Sequence, residues 1–341
     1  MSIFTNIPLT VKFISKIAAV NNENGAFHRY VQKIAAKEIA RSREIGDQEL
    51  DPLHFLKIQW YMATTLYLGE LLSELRTDKL SEDERSSLIY LGALIAVTDL
   101  MVDDFRINRD KITRLMTDKH ERNRNDLSTI EQILLLYYRQ LLKVIGDDKK
   151  KIIHDFSLLK PQIDSQEQLS GAMTEQEIME QTRKKGGTAL LLVASLLFDI
   201  DEKNKDAFYQ LGSFIQFLND SQDMPKDFRN GVVTFVHFQK TYKDISDILH
   251  KEFQKTVRLF YNSEFSKQNI YRLMFCFHGM LTGIEFKLKR YAEIMDGVMN
   301  TDKIRNMDKS FFRINMFSPQ AIAYCLPKII SYNDRALQMP G

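Results

Sequence analysis

Apolar residues recur along most of the chain at intervals of three or four, which is the spacing of one face of a helix. In the stretch 28–44, for example, Tyr30, Ile34, Ala35 and Ile39 share such a face. The pattern predicts roughly ten helices, the main ones over 28–44, 53–75, 81–103, 128–145, 175–198, 206–223, 242–260, 267–295 and 318–332. No alternating run is long enough to predict a sheet, so the expected fold class is all-α.

Local signals set some of the helix boundaries. Ser81 is the expected N-cap of one helix, because Glu84 follows three residues later and completes a capping box. Gly146, which precedes two aspartates, is expected to end the helix over 128–145. The charged stretch 108–125 is expected to form a loop or a short surface helix.

The composition is that of an ordinary soluble protein. The 341 residues would suit two domains, but no linker, repeat or shift in composition marks a boundary. We therefore expect one helical domain over 1–341, with its motif-bearing core at about 81–300. Only 14 Gly and 7 Pro occur, fewer than a β-rich fold with many tight turns needs. A formal net charge of +2 gives no indication of nucleic-acid binding.

Sequence signals for targeting are weak. The first 20 residues lack the sustained apolar core and cleavage site of a signal peptide. The longest apolar run, 189–198, is about half of the roughly 20 residues that a membrane span needs. Cys276 and Cys325 lie far apart, without the spacing of a zinc site or a disulfide framework. We expect a cytoplasmic protein without a transmembrane segment.

Three side chains with oxygen donors follow an apolar, helix-like stretch in the middle of the chain. Asn219, Asp223 and Asp227 are spaced four residues apart, which stacks them on one helix face, a turn apart. Such residues pack poorly in a core, but they are suitable ligands for a hard cation. An Mg²⁺ ion held in this way needs a further anionic partner such as a phosphate.

A second acidic cluster ends an earlier helix. Asp99 and Asp103 are also four residues apart, with Asp104 adjacent, and eleven uncharged residues precede Asp99. Burying a lone carboxylate there would cost several kcal/mol, and a bound cation removes that penalty. A single pair of this kind is most often a solvated helix face. Two pairs, each ending a long apolar helix, favour a metal site built by facing helices of a bundle.

The two clusters resemble the metal-binding motifs of the class I isoprenoid synthases, the family of prenyltransferases, squalene/phytoene synthases and terpene cyclases. The stretch 98–103 is similar to the first D-x-x-x-D motif of squalene and phytoene synthases. The row Asn219, Asp223 and Asp227 is similar to the second motif of that branch and has the spacing of the N-x-x-x-S/T-x-x-x-E motif of terpene cyclases. Order and spacing agree over about 88–231, while the flanks agree only in being helical.

The resemblance implies an antiparallel helix bundle with the active-site cavity at its centre. It also implies three Mg²⁺ ions, with Mn²⁺ as a substitute, that clamp the diphosphate of a linear prenyl substrate so that the allylic C–O bond ionises. The implied metal ligands are Asp99, Asp103, Asp104, Asn219, Asp223 and Asp227. All of them except Asp104 are also the implied catalytic residues.

Basic residues near these motifs are candidates for binding the diphosphate. The substrate-binding candidates are Arg183, Lys184, Lys185, Lys226 and Arg229, together with Gln216. Gly186 and Gly187 follow the first three; inside an apolar helix each glycine is unfavourable by about 1 kcal/mol, which indicates a kink or a close approach of substrate. The alternative is a loop with solvated charges before a core helix, and the sequence does not separate the two.

The chain also departs from the family pattern. Pro225 lies between Asp223 and Asp227, where it is expected to kink the helix at a cost near ~3 kcal/mol and to place Asp227 on a distorted turn. The arginines that precede the first motif in phytoene synthases are missing, as Leu94 to Ala96 stand there. The tyrosine of head-to-head condensation is not evident in 175–188, and the glycine-lysine-arginine signature of chain-elongating prenyltransferases is absent.

These departures remove the groups that would hold a second diphosphate. The expected function is therefore a terpene synthase that ionises one prenyl diphosphate and cyclises or eliminates the carbocation. The alternatives are a squalene/phytoene-type synthase that joins two prenyl diphosphates, and a catalytically inactive helical scaffold. The motif N-D-x-x-D-x-x-x-D of membrane-embedded prenyl-transferring enzymes also matches 219–227, but the apolar runs are too short for that class. The expected partner is the small-molecule substrate, and a homodimer is left open.

Overall fold

The computed structural model describes residues 3–47, 49–118, 122, 125–154 and 173–334. Within these ranges the only β structure is an isolated bridge between Thr241 and Val298, so the expected all-α fold class is confirmed. The helices are α1 (Ile3–Asn21), α2 (Ala26–Gly46), α3 (Pro52–Leu72), α4 (Glu82–Asp103), α5 (Arg109–Thr117), α6 (Thr129–Val144), α7 (Asp147–His154), α8 (Glu175–Ser195), α9 (Glu202–Asn230), α10 (Tyr242–Tyr261), α11 (Lys267–Ile294), α12 (Thr301–Asn306) and α13 (Pro319–Ile330).

The start of α4 is the one that the sequence predicts. The Ser81 hydroxyl accepts a hydrogen bond from the Glu84 amide at 3.1 Å, and the Glu84 carboxylate accepts one from the Ser81 amide at 2.7 Å. This reciprocal pair satisfies two amide groups that the first turn of a helix would otherwise leave without partners. The predicted capping box is confirmed.

Helix α9 is longer than predicted. It begins at Glu202, capped by the side chain of Asp201, and continues without interruption across Pro225 to Asn230. The helix ends at Gly231, whose left-handed φ of 71° lets its amide bond back to the Asp227 carbonyl. Asp223 and Asp227 therefore lie on one continuous helix, and the expected distortion at Pro225 does not break it.

Helix α1 was not predicted, because polar residues take inward-facing positions in its first half. Asn6 and Thr10 are buried, whereas Ile7 and Val11 are exposed. The Asn6 amide bonds to the carbonyls of Ile330 and Tyr332, so a polar side chain occupies a position that periodicity reserves for an apolar one.

The chain divides into two compact units. Unit 1 comprises Met1–Phe13, Glu167–Leu190 and Asp201–Gly341, and unit 2 comprises Ile14–Gln166 and Leu191–Ile200. In unit 2 the buried helix α4 packs against α3 and α6, with α2 against both of those neighbours. In unit 1 the long helix α9 packs against α10, α11 and α12, and α13 lies on α11. The expected single domain over 1–341 stays a prediction.

Helices α8 and α9 approach each other unusually closely within unit 1. A Cβ on Gly186 would lie 2.2 Å from the Gly212 carbonyl oxygen, and a Cβ on Gly212 would lie 2.2 Å from the Gly186 carbonyl oxygen. Only glycine fits at both positions, so the backbones are in contact there. The close approach expected at Gly186 is thus made by a second helix, and the alternative of a loop at 183–188 is wrong.

In the described part of the chain, one helix is long and apolar enough to cross a membrane by length and composition. This is α4, and 78% of its most apolar stretch is buried inside the protein. The cytoplasmic location stays a prediction.

Candidate functional site

A row of polar side chains lies along one face of α9 in unit 1. Gln216, Asp220, Asp223 and Asp227 are separated by four, three and four residues, which keeps them on a single helix face over three turns. Asp220 is almost fully buried, with 6% of its surface exposed, and Asp223 and Asp227 are half-buried. Carboxylates so poorly solvated require compensating partners.

Asp220 has direct hydrogen-bond partners from two helices. The Gln216 amide donates to Asp220 Oδ1 at 2.7 Å, and the Thr182 hydroxyl of α8 donates to Asp220 Oδ2 at 3.1 Å. Burial raises the pKa of Asp220 to about 6, against the opposing effects of these hydrogen bonds and of the Lys185 charge. The carboxylate is therefore held in place by α8 as well as by its own helix.

The ionised forms of Asp223 and Asp227 are disfavoured by burial, and the charges of neighbouring side chains act on both carboxylates. Burial, followed by the charges of Asp223 and Asp220, raises the pKa of Asp227 to about 7. Burial also raises the pKa of Asp223, and Lys226, Lys287 and Lys185 oppose that rise. The charges of Asp223 and Asp220 disfavour the ionised form of Asp227, and a bound cation would relieve that repulsion.

Two residues of α11 complete the surroundings of Asp223. Burial lowers the pKa of Lys287, and the Asp223 carboxylate offsets part of that effect. The Lys287 ammonium donates to the Gln222 side chain at 3.0 Å. Burial, and then the Asp223 charge, raise the pKa of Tyr291 to about 12. Lys287 was not predicted, because it lies 64 residues along the chain from Asp223 and no local pattern connects the two.

The predicted row on α9 and the observed one differ at one position. Asn219 is exposed at the edge of the face, while the neighbouring Asp220 points into the polar cluster. The spacing of Gln216, Asp220, Asp223 and Asp227 fits a helix with 3.6 residues per turn better than a strict four-residue interval does, and this was the signal available in the sequence. The metal-binding role of Asn219 stays a prediction.

The basic candidates have different surroundings. Lys185 contributes charge to the α9 cluster, whereas Lys184 is exposed. Arg183 pairs with the buried Glu252 at 2.6 Å and lies over the Phe217 ring, which indicates a structural role. Arg229 donates to the Met307 carbonyl at 3.1 Å and lies over the Phe312 ring.

The first predicted cluster lies in unit 2. The Tyr61 hydroxyl of α3 donates to Asp99 Oδ2 at 2.8 Å, and Asp99 is partly buried at the last turns of α4. Asp103 and Asp104 are exposed, and Asp104 is the C-cap of the helix. The orientation of Asp99 is thus fixed by a neighbour, while the other two side chains face solvent.

The donors on α9 have the chemistry of an Mg²⁺ site. Among the described residues, there is no group of three or more His, Cys, Asp or Glu side chains that could hold a metal ion. Mg²⁺ does not need one, because it retains several water ligands and is usually bound through one or two carboxylates together with substrate phosphates. The buried carboxylates with raised pKa values therefore fit an ion whose coordination is completed by water and an anionic ligand.

Comparisons with known proteins add little to this description. No protein-family model matches the chain, and no curated protein matches it. Among solved structures, the chain is similar to a geranyltransferase from Legionella pneumophila, with 12% identity and a TM-score of 0.40. The match covers 78% of this chain and 99% of that one. A likeness of this extent does not bear on the reaction.

The raised pKa values predict how stability depends on pH when no metal is present. Asp227 has a pKa of about 7 when folded and an ordinary value of 3.8, so the folded state keeps a proton that the unfolded state releases. The stability supplied by that proton is complete below about pH 4 and is lost as the pH rises through 7. With a chelator present, we expect the melting temperature to fall between about pH 5 and pH 8.

The Asp227→Asn variant should show a smaller fall, because its side chain carries no charge at either pH. Asp104→Asn is the matched control, since Asp104 is exposed, and it should keep the wild-type profile. Parallel profiles for the wild type and Asp227→Asn would contradict the prediction. Differential scanning calorimetry at low ionic strength makes the comparison.

Proposed function

We propose that this protein is an Mg²⁺-dependent enzyme that ionises a linear prenyl diphosphate. The observation that carries the proposal is the face of α9, where three poorly solvated carboxylates lie beside Lys185, Lys226 and Lys287. Carboxylates bind the ions, and ammonium groups next to them suit an anion that shares those ions. The motif resemblance adds Asp99, Asp103 and Asp104 of unit 2 and Asn219 of α9 as further ligands.

The reaction begins with cleavage of the allylic C–O bond of the substrate. The bonding electron pair leaves with the diphosphate oxygen, and a carbocation remains on the prenyl chain. Bound Mg²⁺ supplies Lewis-acid stabilisation of the leaving diphosphate. The ammonium groups of Lys185, Lys226 and Lys287 add positive charge at the same place, so they stabilise the leaving group more than the substrate.

Two further features of the site serve this chemistry. The hydrogen bonds from Gln216 and Thr182 hold Asp220 in one orientation, which limits the rearrangement needed when a ligand arrives. The ion pair between Arg183 and the buried Glu252 anchors α8 two residues before Lys185. These residues position the site without reacting themselves.

The proposed reaction class is terpene synthesis from a single prenyl diphosphate, because the sequence lacks the groups that would hold a second one. Incubation of the purified protein with Mg²⁺ and geranyl, farnesyl or geranylgeranyl diphosphate tests it. Release of diphosphate with one cyclic, alkene or alcohol product supports the terpene synthase. A hydrocarbon of doubled chain length indicates the squalene/phytoene type of reaction instead.

If the protein releases no diphosphate from any of the three substrates, with Mg²⁺ or with Mn²⁺, that result contradicts both enzymatic functions. It would favour the catalytically inactive scaffold. The control is the same incubation with a chelator. Product formed in its presence would show that metal ions are not required, which also contradicts the proposal.

A further inference from the structure

The phenol of Tyr61 links helix α3 to the first acidic cluster, within unit 2. Its hydroxyl donates to Asp99 Oδ2 at 2.8 Å, and both side chains are partly buried. Within the described part of the chain, the other oxygen of this carboxylate, Oδ1, accepts no hydrogen bond. The Asp99 carboxylate therefore has one oxygen engaged by the phenol and one left for another ligand.

Two glycines bring α3 and α4 together as an antiparallel pair. A Cβ on Gly69 of α3 would lie 2.2 Å from Leu88 Cδ1 of α4. Two turns earlier on α3, the Tyr61 carbonyl oxygen lies where a Cβ on Gly92 of α4 would come within 2.6 Å of it. Only glycine fits at position 92, so the α4 backbone lies directly against the α3 backbone at Tyr61.

The direction of helical side chains explains why Tyr61 reaches Asp99. Side chains lean towards the N-terminus of their own helix, and in an antiparallel pair the N-terminal end of α3 lies beside the C-terminal end of α4. Asp99 follows Gly92 by seven residues, so it lies on the same face of α4, two turns or about 10 Å further along. The hydrogen bond therefore follows from the packing of the two helices.

Asp99 differs from the other two members of its cluster. It is partly buried and held by the phenol, whereas Asp103 and Asp104 are exposed to solvent. An exposed side chain loses rotamer freedom when it binds an ion, and that loss opposes binding. Asp99 has lost most of this freedom already, so it is the member of the cluster that is prepared for a ligand.

We propose that Tyr61 is a positioning residue that sets the affinity of this protein for Mg²⁺ by orienting Asp99. The inference rests on the proposed function, in which Asp99 is one of the metal ligands. Mg²⁺ demands nearly ideal octahedral geometry, so a carboxylate held in one orientation, with Oδ1 left for the ion, binds it better than one that rotates. Removal of a hydrogen bond to a ligating group typically weakens metal binding by about 10- to 100-fold.

The test is the Mg²⁺ dependence of the Tyr61→Phe variant, which loses only the hydroxyl group. The melting temperature is measured at a fixed concentration of inorganic diphosphate while the Mg²⁺ concentration is increased, so that binding is followed without turnover. We expect the variant to need about 10- to 100-fold more Mg²⁺ than the wild type for half of the full rise. In steady-state assays the half-saturating Mg²⁺ concentration should also increase, while kcat at saturating Mg²⁺ stays near the wild-type value.

Tyr137→Phe is the matched control. Tyr137 is a buried tyrosine of unit 2 whose hydroxyl donates to Ser42 Oγ at 3.1 Å, so this variant also loses one hydrogen bond but none to a candidate ligand. It should keep the Mg²⁺ dependence of the wild type. Asp99→Ala should need more Mg²⁺, and adding Tyr61→Phe to it should cause no further weakening, because Tyr61 acts through Asp99.

The outcomes that overturn this inference differ from those that overturn the proposed function. If the wild type is stabilised by Mg²⁺ with diphosphate and Tyr61→Phe responds at the same concentrations, the phenol has only a structural role and the proposed function stands. Further weakening of Asp99→Ala by Tyr61→Phe would show that Tyr61 acts on another group, which also overturns the inference. A wild type that shows no response to Mg²⁺ contradicts the proposed function, and the role of Tyr61 falls with it.

Discussion

Replacing Asp223 by alanine is expected to lower turnover by about three orders of magnitude or more while leaving the fold intact. The carboxylate lies in the centre of the α9 row and interacts electrostatically with Lys185, Lys226, Lys287 and Asp227. Loss of a ligand removes charge stabilisation that is needed most when the C–O bond breaks, so the effect falls mainly on kcat. Steady-state assays at saturating Mg²⁺ measure it.

The same variant should lose the response of stability to Mg²⁺. Ligands that bind only the folded state raise its melting temperature, and we expect this rise in the wild type when Mg²⁺ and inorganic diphosphate are added together. Without metal, Asp223→Ala should be as stable as the wild type or more stable, because repulsion with Asp227 is relieved.

Asp206→Ala is the matched control, since Asp206 is an exposed carboxylate on the same helix. It should keep both the turnover and the Mg²⁺ response of the wild type. Full activity in Asp223→Ala would remove Asp223 from the site. Asn219→Ala is informative in the same assay, and unchanged kinetics there would take the exposed Asn219 out of the ligand set.

The second large effect is on stability and comes from Gly212. The Gly212→Ala variant places a methyl group 2.2 Å from the Gly186 carbonyl oxygen and 2.6 Å from the Leu190 Cβ. Neither backbone nor Cβ atoms can move aside without separating α8 from α9. We expect the free energy of unfolding to fall by about 3 kcal/mol, measured by urea denaturation monitored by circular dichroism.

Gly146→Ala is the control for this change, because no atom lies within 4 Å of the position that its Cβ would occupy. That variant should differ from the wild type by less than about 0.5 kcal/mol. Gly212→Ala should also weaken the site, since Thr182 and Lys185 on α8 would move away from Asp220. An unchanged free energy of unfolding for Gly212→Ala would contradict the close contact between α8 and α9.

Local rules predict the elements of this protein well because most helices are amphipathic and clearly capped. The Ser81 box and the apolar run of α4 fix that helix without reference to the rest of the chain. Helix α1 shows the limit of this approach. Asn6 is buried because its partners are carbonyl groups more than 300 residues later in the sequence, and periodicity carries no trace of them.

Only those parts of the candidate site that leave a local pattern in the sequence could be predicted. Asp223 and Asp227 follow from their spacing, and Lys185 from its place beside two glycines. The four-residue spacing also includes Asn219, whose role stays a prediction, whereas the orientation of Asp220 is decided by Thr182 on another helix. Lys287 and Tyr291 join the cluster only through tertiary packing of α11.

Pro225 gives the end of α9 a mechanical property of its own. Proline has no amide hydrogen, so the Ser221 carbonyl lacks the donor that would follow it one turn later. Bending the helix at that turn therefore breaks fewer hydrogen bonds than bending it anywhere else along Glu202–Asn230. The segment that carries Asp227 can tilt relative to the segment that carries Asp220 and Asp223. The distance from the Asp227 carboxylate to the other two can therefore adjust to the size of a bound ligand.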